Sequence, residues 1–541
     1  MCSSSSQVQV RRTITRNTLF NAAGRTWEAI LALVLTPYIV HRVGVNAWGL
    51  WAFLSSFVGY VGLLDLGITG SYAKYIAHHH ARNEQDEMAH VISTGLSFYA
   101  VVGFFLIAVG WFSIDQMVQW LSRLHPERAG EWTHPQVLAD LRFLLRGSLV
   151  LLCLSNCLAS FTAIQSGLQR MGITNGIAFA ASLVKTAFII GMLETGFGVR
   201  ALLYAEAAGF IAFAVPTVVV SFHLLPGLRL RLQDIRLDTF KRLVDYGWKT
   251  QVAKLSNLIM FQTDKVVAGV VFRQFGLVGL YDLGIRWANV ARQVPVLLLS
   301  ALVPAVSDLD AREENDRLKV LYLRSSRYIA ALSIPMALFL ASNAGLIMRV
   351  WLGKMEGVTT AAWVLRIIAL GYVANILPGA GVSIALGKGR PDLQMIAGLI
   401  SMSTNIVFTI LFVFVFGFYG IPAATALSMF LSCAWFFYAL RPVVDLPVSH
   451  LVKFALVKPV AAVVPACCVS LGIEFWANTD SGRVVLLFYL LGSCVCFTIL
   501  YGICLRLSRF FDDWDLNFFT ELTGEPLHRL LPFFLGVRQR V

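Results

Sequence analysis

The amino-acid sequence predicts an all-α polytopic membrane protein of about 14 transmembrane helices, in two pseudo-repeated six-helix lobes plus two C-terminal helices. Three observations lead to this fold class. The chain of 541 residues is 57% hydrophobic and only 14% charged, which is too little charge to cover a soluble protein of this length. Apolar runs of roughly 20 residues, each long enough to cross a bilayer, recur along the chain. The third observation is an internal repeat.

The repeat is marked by three short motifs that return in the same order. They are Gly49-Leu50-Trp51 with Gly279-Leu280-Tyr281, the polar hinge from Ala81 with that from Ala311, and the turn ending at Arg170 with that ending at Arg390. The first two pairs have one and the same sequence offset, and the third pair has a slightly shorter one. The sequence therefore predicts a duplicated membrane lobe, with about ten residues lost from the second copy.

We predict one helix over each of these apolar runs. In the first half we predict helices near residues 18–40, 49–77, 91–113, 143–165, 171–194 and 199–223. In the second half we predict helices near residues 249–272, 276–304, 322–346, 360–385, 393–416, 420–440, 454–475 and 484–505.

These helices divide the chain into five regions. They are an N-terminal lobe (1–225), a cytoplasmic linker (226–248), a C-terminal lobe (249–445), helices 13 and 14 (446–506) and a cytoplasmic interfacial tail (507–541). The linker mixes apolar with basic residues and the tail is aromatic, as expected of segments at the inner membrane surface. Helices 13 and 14 are predicted to carry no buried charge.

The net charge of +13 follows the distribution expected of a membrane protein. With the N-terminus inside, 27 of the 44 Lys and Arg residues fall in cytoplasmic segments, nine in outer segments and eight within helices. This positive-inside pattern argues against a nucleic-acid surface and predicts a multi-pass membrane protein with both termini in the cytoplasm. Eight of the nine cysteines lie in apolar segments without metal-site spacing, so we expect no metal.

Polar residues at spacings of three and four share one face on three predicted helices. These stripes are Thr18, Asn21, Arg25 and Glu28; Thr250, Lys254, Asn257 and Asp264, with the apolar Phe261 between the last two; and Asp282, Arg286, Asn289 and Gln293, with Arg292 beside the last. We expect a substrate site in a central cavity between the lobes, built from Arg25, Lys254, Arg286, Asn289 and Arg292. Glu28 and Asp264 are candidates for ion coupling, or alternatively salt-bridge partners of Arg25 and Lys265.

The sign of the charge within the helices points to an anionic substrate. A charge at the bilayer centre costs at least about 2.5–3.5 kcal/mol, so each must be paired or face water. The five acids are Glu28, Asp65, Glu206, Asp264 and Asp282. The eight bases are Arg25, Arg146, Lys185, Lys254, Lys265, Arg286, Arg292 and Arg366. Arg146, Lys185, Lys265 and Arg366 are expected to be structural, as bases that snorkel from helix ends are.

Several motifs together resemble a known family. They are Asn17-Thr18-Leu19-Phe20, Gly49-Leu50-Trp51, the run from Gly62 to Ile68, and the turns Gly167–Arg170 and Gly387–Arg390. Over residues 15–505 the chain resembles the multidrug/oligosaccharidyl-lipid/polysaccharide exporter (MOP) superfamily. Within it, the chain is most similar to Wzx-type oligosaccharide (O-antigen) flippases of the polysaccharide transport family.

The resemblance implies a transporter rather than an enzyme. Such proteins move an undecaprenyl-pyrophosphate-linked oligosaccharide from the inner to the outer leaflet by alternating access, for lipopolysaccharide or exopolysaccharide synthesis. We expect no cofactor apart from a coupling H⁺ or Na⁺. The expected partners are membrane lipids and other polysaccharide-assembly proteins, with no nucleic acid, and the protein is expected to be a monomer.

Two alternatives remain open. A drug or metabolite cation antiporter of the same fold should carry acidic rather than basic charge in its cavity. A membrane polysaccharide polymerase or ligase should carry a sizeable outer catalytic loop, and the longest outer connection, residues 114–140, is small for that role. No glycine-rich phosphate loop or nucleophile arrangement is found.

The helix count can be tested with topology reporters. Because the predicted helix 484–505 separates them, fusions after residues 480 and 541 should report opposite sides of the membrane, with residue 541 cytoplasmic. Activity on the same side at both positions would contradict the fourteen-helix arrangement.

Overall fold

The computed structural model describes residues 2–65, 67–123, 134–228, 230–299, 302–477 and 481–515. All regular elements in these ranges are helical, which confirms the predicted all-α fold. Eight helical segments of the described chain are long and apolar enough to cross a membrane. The protein is therefore a multi-pass membrane protein, and its contacts divide it into two compact units, Met1–Asp282 and Leu283–Val541.

The first unit is built from eight helices and the start of a ninth. They are α1 (Cys2–Val43), α2 (Val45–Val61), α3 (Ile68–Ala81), α4 (Gln85–Arg123), α5 (Pro135–Gly167), α6 (Met171–Glu194), α7 (Arg200–Leu224), α8 (Leu237–Phe272) and α9 (Phe275–Leu299). A buried cluster centred on Tyr72, Tyr99 and Ile164 packs α3, α4 and α5 together. Within it, Ser160 donates a hydrogen bond of 2.8 Å to the Tyr72 hydroxyl.

The second unit contains the rest of α9 and ten further helices. They are α10 (Leu302–Ala311), α11 (Asn315–Ser342), α12 (Ala344–Leu352), α13 (Val358–Ile376), α14 (Gly379–Gly387), α15 (Pro391–Phe416), α16 (Gly420–Val444), α17 (Val448–Leu451), α18 (Val457–Trp476) and α19 (Arg483–Leu507). A π-helical turn, Val452–Leu456, joins α17 to α18. Ile334, Val463 and Phe497 form an apolar core between α11, α18 and α19.

The predicted helix 49–77 is two helices in the structure. After α2 the chain forms a 3₁₀ turn, Gly62–Asp65, and Gly67 adopts a left-handed φ of 75° that an α-helix cannot contain. Asp65 caps the next helix, because its Oδ1 accepts the Thr69 hydroxyl at 2.9 Å and the Thr69 amide at 3.2 Å. The glycines therefore interrupt this helix as well as allowing close packing.

Other predicted boundaries also differ from the structure, and the predicted helix 322–346, for example, is divided into α11 and α12 at Asn343. The predicted helix 360–385 is divided into α13 and α14 around Pro378, which has no amide hydrogen to continue the helical bonds. The predicted linker 226–248 is largely helical, because α8 already begins at Leu237. In the predicted tail, Phe510 is buried and packs with Ala462 and Leu505. Residues 516–541 lie outside the described chain.

The two hinges of the predicted repeat have the same backbone geometry. Asn83, between α3 and α4, and Glu313, between α10 and α11, both have a φ of 58°. The hydrogen bonds that close the hinges also correspond: Glu84 N–H to His79 O and Glu314 N–H to Leu309 O, each at 3.0 Å. The two hinges are therefore two copies of one structure, as their sequence offset, which the Gly49 motif shares, predicts.

The later turns correspond at the shorter offset. Gln169 and Gly389 both have a positive φ, of 58° and 69°. A Cβ added to Gly167 would lie 2.7 Å from the Ile76 side chain, and a Cβ added to Gly387 would lie 2.5 Å from Val306. Ile76 and Val306 are separated by the same, longer sequence offset as the two hinges, whereas Gly167 and Gly387 are separated by the shorter offset of the turns. The contact between Gly167 and Ile76 thus recurs between Gly387 and Val306, although fewer residues separate the second pair along the chain. The predicted duplication is confirmed.

The repeated Gly49 and Gly279 meet where α2 crosses the first turns of α9. A Cβ on Gly49 would overlap the carbonyl oxygen of Phe275, and a Cβ on Gly279 would lie 2.6 Å from the carbonyl oxygen of Val45. Val45 and Phe275 are also counterparts in the repeat, with the same sequence offset as the two glycines. The contact is therefore reciprocal, with Gly49 against Phe275 and Gly279 against Val45, as at a two-fold interface. Only glycine allows two helix backbones to come this close.

A methyl group at this crossing should destabilise the protein. The Gly49→Ala methyl would meet a backbone carbonyl that cannot rotate away, so we expect a loss of about 1–3 kcal/mol or more. Thermal unfolding of the purified protein in detergent measures the change. Gly176→Ala on α6 is the matched control, because a Cβ there meets nothing within 4 Å. Equal melting temperatures for the two variants would contradict the close crossing.

Candidate functional site

The structure brings three of the predicted substrate residues together on α9. Arg286, Asn289 and Arg292 are half-buried and lie on successive turns of one helix face in the second unit. The side chains of Arg25 and Lys254 lie outside what the structure describes, although the helices α1 and α8 that carry them are described. Arg25 and Lys254 therefore remain predictions.

A tyrosine and an asparagine of α13 complete this cluster. The Tyr372 hydroxyl donates a hydrogen bond of 2.6 Å to Asn289 Oδ1. Arg292 donates to Asn375 Oδ1 at 3.2 Å, and its guanidinium lies over the Tyr372 ring, 5.4 Å from the centroid. We name these five residues, Arg286, Asn289, Arg292, Tyr372 and Asn375, the α9–α13 cluster. Its hydrogen bonds and the stacked ring hold Asn289 and Arg292 in position.

The contribution of α13 was missed in the sequence. Tyr372 and Asn375 lie in an apolar helix, and one polar pair three residues apart is a weaker signal than the four-residue stripe on α9. The two helices approach closely at Gly284, where a Cβ would lie 2.7 Å from the carbonyl oxygen of Ala361. This contact sets the α9 face against α13.

The α9–α13 cluster has the chemistry of a site for a phosphorylated sugar. Guanidinium groups bind phosphate oxygens with charge-assisted hydrogen bonds, whereas amide and phenol groups bind neutral hydroxyls. Because Arg292 lies against an aromatic ring, it is partly ordered before any ligand arrives, which reduces the entropy lost on binding.

The two acids predicted for ion coupling lie in different surroundings. Asp264 on α8 is 1% exposed and accepts a hydrogen bond from the Tyr281 hydroxyl. Glu28 on α1 is exposed. Lys265, considered as the salt-bridge partner of Asp264, instead pairs with Asp282 at 2.8 Å. Neighbouring residues on a helix point about 100° apart, so Lys265 is directed away from Asp264.

Every base predicted to be structural is in an ion pair within its own unit. The pairs are Arg146 with Asp115 at 2.6 Å, Lys185 with Glu206, Lys265 with Asp282 at 2.8 Å, and Arg366 with Glu474 at 2.7 Å. Carboxylates therefore neutralise four of the eight bases within the predicted helices. Snorkelling alone was the wrong account of these four residues.

Two of the acids in these pairs were not recognised in the sequence. Asp115 fell outside the predicted helix 91–113, but α4 continues to Arg123. Glu474 lies on α18, and its side chain is only 13% exposed, so the prediction that helices 13 and 14 carry no buried charge is wrong. Glu474 also accepts the Gly345 amide at 2.8 Å, which joins α18 to the start of α12.

A further charged cluster lies where the chain after α19 returns to α11. Arg324 and Arg327 pair with Asp512 and Asp515, at distances from 2.6 to 3.4 Å. Arg327 and Asp515 are both buried. These contacts could not be anticipated from the sequence, because the partners lie far apart along the chain and no local pattern links them.

Known proteins share both the sequence pattern and the fold. Residues 144–355 match a family model described as "Polysaccharide biosynthesis protein". A protein of Shigella flexneri named "Putative O-antigen transporter" is 24% identical over 430 residues, which cover 76% of this chain and 93% of that protein.

Two solved structures have the same architecture. "Lipid II flippase MurJ, inward closed conformation" has a TM-score of 0.65 at 14% identity and covers 90% of this chain and 99% of its own. An inward-facing multidrug resistance MATE family transporter of the MOP superfamily has a TM-score of 0.60 at 16% identity, covering 81% and 96%. The chain thus shares its fold with these two transporters, and the family match and the Shigella flexneri relative confirm the resemblance to polysaccharide-transport flippases that its motifs indicate.

Proposed function

We propose that this protein is a flippase that moves an undecaprenyl-pyrophosphate-linked oligosaccharide from the inner to the outer leaflet of the bacterial inner membrane. The observation that carries the proposal is the α9–α13 cluster, in which two arginines share a half-buried face with amide and phenol groups. The family match and the relatives named for O-antigen and lipid II transport support the same substrate class.

Arg286 and Arg292 bind the pyrophosphate, and Asn289, with Tyr372 and Asn375, contacts sugar hydroxyls. Pyrophosphate presents several oxygens to a planar guanidinium, which can form two parallel hydrogen bonds with them. Arg25 and Lys254 are included among the substrate-binding residues on the basis of their polar stripes. A cation antiporter of the same fold would instead require acids facing its substrate.

Removing one base from the α9–α13 cluster should weaken substrate binding. We expect Arg286→Ala and Arg292→Ala each to cost about 1.5–3 kcal/mol of binding free energy, as loss of a charged hydrogen bond does. Arg292→Lys should recover part of the binding, because it keeps the charge but not the fork geometry. Binding of a lipid-pyrophosphate-linked sugar to the purified protein, and surface polysaccharide of cells, are the two readouts. Arg25→Ala and Lys254→Ala are measured alongside.

The double variant Lys185→Ala, Glu206→Ala is the matched control. It removes a base together with its carboxylate partner on α6 and α7, so net charge is unchanged and substrate binding should remain. If both arginine variants bind the lipid-pyrophosphate as the wild type does, the cluster is not the substrate site. Transport of organic cations, with no lipid-pyrophosphate binding, would favour the antiporter.

We further propose that transport is coupled to H⁺ or Na⁺ through Asp264, with Glu28 as a second candidate. A carboxylate this deeply buried is costly in its charged form, so binding and release of a cation there changes its free energy strongly. The Tyr281 hydroxyl holds the Asp264 carboxylate in one orientation. Such a carboxylate can favour one conformation of the protein when a cation is bound to it and another when no cation is bound.

Neutralising Asp264 should separate transport from substrate binding. Asp264→Asn is expected to abolish transport while protein level and lipid-pyrophosphate binding stay near wild type, and Glu28→Gln is tested in parallel. Asp445→Asn, at a carboxylate that is 92% exposed after α16, is the control and should transport normally. Wild-type transport by both Asp264→Asn and Glu28→Gln across a range of pH and Na⁺ would exclude these acids as the coupling site.

A further inference from the structure

A second basic site lies in the second unit, away from the α9–α13 cluster along the chain, where α12, α13 and α19 meet. A cavity of about 390 Å³ opens there between the loop 353–357 and the start of α19. Its charged lining consists of Arg349, Lys354 and Arg483, with Thr359 and Ser481 contributing hydroxyl groups. The volume is within the range of small-ligand pockets, and none of these residues belongs to the α9–α13 cluster.

The charged side chains that line this cavity are all basic. Of the described residues, none places a carboxylate within 4.0 Å of the Arg349 or Lys354 nitrogens. Glu356, the acid of the same loop, does not line the cavity. This differs from the four bases paired within the helices, where a nearby acid cancels the charge.

Gly353 positions the third base. It ends α12 with a φ of 71°, and a Cβ at this residue would overlap the Arg483 guanidinium. The guanidinium therefore lies flat against the Gly353 backbone, at the C-terminal end of a helix where a positive charge is favoured. Any side chain at residue 353 would displace Arg483 from the cavity.

Two long helices begin at the same cavity. Val358 is the first residue of α13 and Arg483 is the first of α19, and both line it. Helix N-termini present free backbone N–H groups and a partial positive charge, which favour anions. With the three basic side chains and two hydroxyls, the donors around this cavity match the oxygens of a phosphate group.

The surroundings of the cavity are those of a membrane boundary. Phe475 and Trp476, at the end of α18, are 87% and 81% exposed, and Val484 and Phe488 on α19 are exposed as well. Exposed apolar side chains on membrane-spanning helices face lipid chains, and tryptophan is enriched at the level of the head groups. A lipid whose chains lie along α19 would therefore have its phosphate beside the basic residues.

We propose that this cavity binds the phosphate group of an anionic lipid head group, separately from the transported substrate. Arg349, Lys354 and Arg483 supply the charge, and the α13 and α19 N-termini with Thr359 and Ser481 supply further donors. A zwitterionic choline lipid is disfavoured, because its ammonium group would lie near three bases. A free phosphate anion has the same chemistry and is the alternative source.

The test is ligand binding by the purified full-length protein in a neutral detergent. The probes are short-chain phosphatidylglycerol, short-chain phosphatidylcholine and inorganic pyrophosphate, titrated by calorimetry. We expect phosphatidylglycerol to bind at least about tenfold more tightly than phosphatidylcholine, and Arg349→Ala with Lys354→Ala to weaken that binding by about tenfold or more. Binding that weakens as salt rises supports the charge contribution.

A pair of glycine variants separates loss of the site from loss of the fold. Gly353→Ala should displace Arg483 and weaken phosphatidylglycerol binding. Gly417→Ala is the matched control and should not weaken it, because Gly417 also follows a helix with a positive φ, of 58°, but a Cβ there meets nothing within 4 Å. Because the α9–α13 cluster is also proposed to bind pyrophosphate, only pyrophosphate binding that the Arg349→Ala, Lys354→Ala variant loses is assigned to this cavity. Such binding without lipid selectivity would identify free phosphate as the source. Undetectable binding of both anions, or equal binding by the wild type and the Arg349→Ala, Lys354→Ala variant, would overturn the proposal.

Discussion

Removing charge from water is the constraint on which this arrangement of helices depends. An ion within a membrane helix is stable only next to an opposite charge, a polar network or water. Of the four ion pairs that Arg146, Lys185, Lys265 and Arg366 form, three join helices that follow each other in the chain: α4 with α5, α6 with α7, and α8 with α9. The fourth, Arg366 with Glu474, attaches α18 to α13.

Such pairs contribute more to the specificity of helix packing than to the net free energy of folding. Bringing two ions out of water costs much of what their attraction returns, but leaving one of them alone costs about 3–5 kcal/mol. A rotation or one-turn slide of α5 against α4 would separate Arg146 from Asp115 and carry that cost. The pairs therefore fix the register between neighbouring helices whose apolar surfaces alone would allow several.

Most of the fold and part of the candidate site could be predicted from the sequence. The helices follow from apolar runs, and the duplication follows from motifs whose counterparts have equal φ angles, as at Asn83 and Glu313. The site face on α9 could be predicted because Arg286 and Asn289 are three residues apart on one helix, so local periodicity places them together. Tyr372 could not, since its contact with Asn289 depends on how α13 packs.

The helix breaks were also beyond the sequence, for a related reason. Gly62 and Gly67 serve equally as packing residues or as helix ends, and only the φ of Gly67 and the cap from Asp65 decide between these roles. The acids Asp115 and Glu474 were missed because their importance lies in partners on other helices. Local chemistry predicts which helix face is polar, whereas tertiary packing determines what that face meets.

The Lys265–Asp282 pair has a consequence for how the protein is made. α8 ends at Phe272 and α9 begins at Phe275, so a turn of only two residues joins them. Lys265 lies about two turns before α8 ends and Asp282 about two turns after α9 begins, so the pair forms once a short hairpin has been synthesised. Inserting α8 and α9 into lipid as one hairpin, with this pair already formed, therefore avoids exposing either charge alone to the membrane interior.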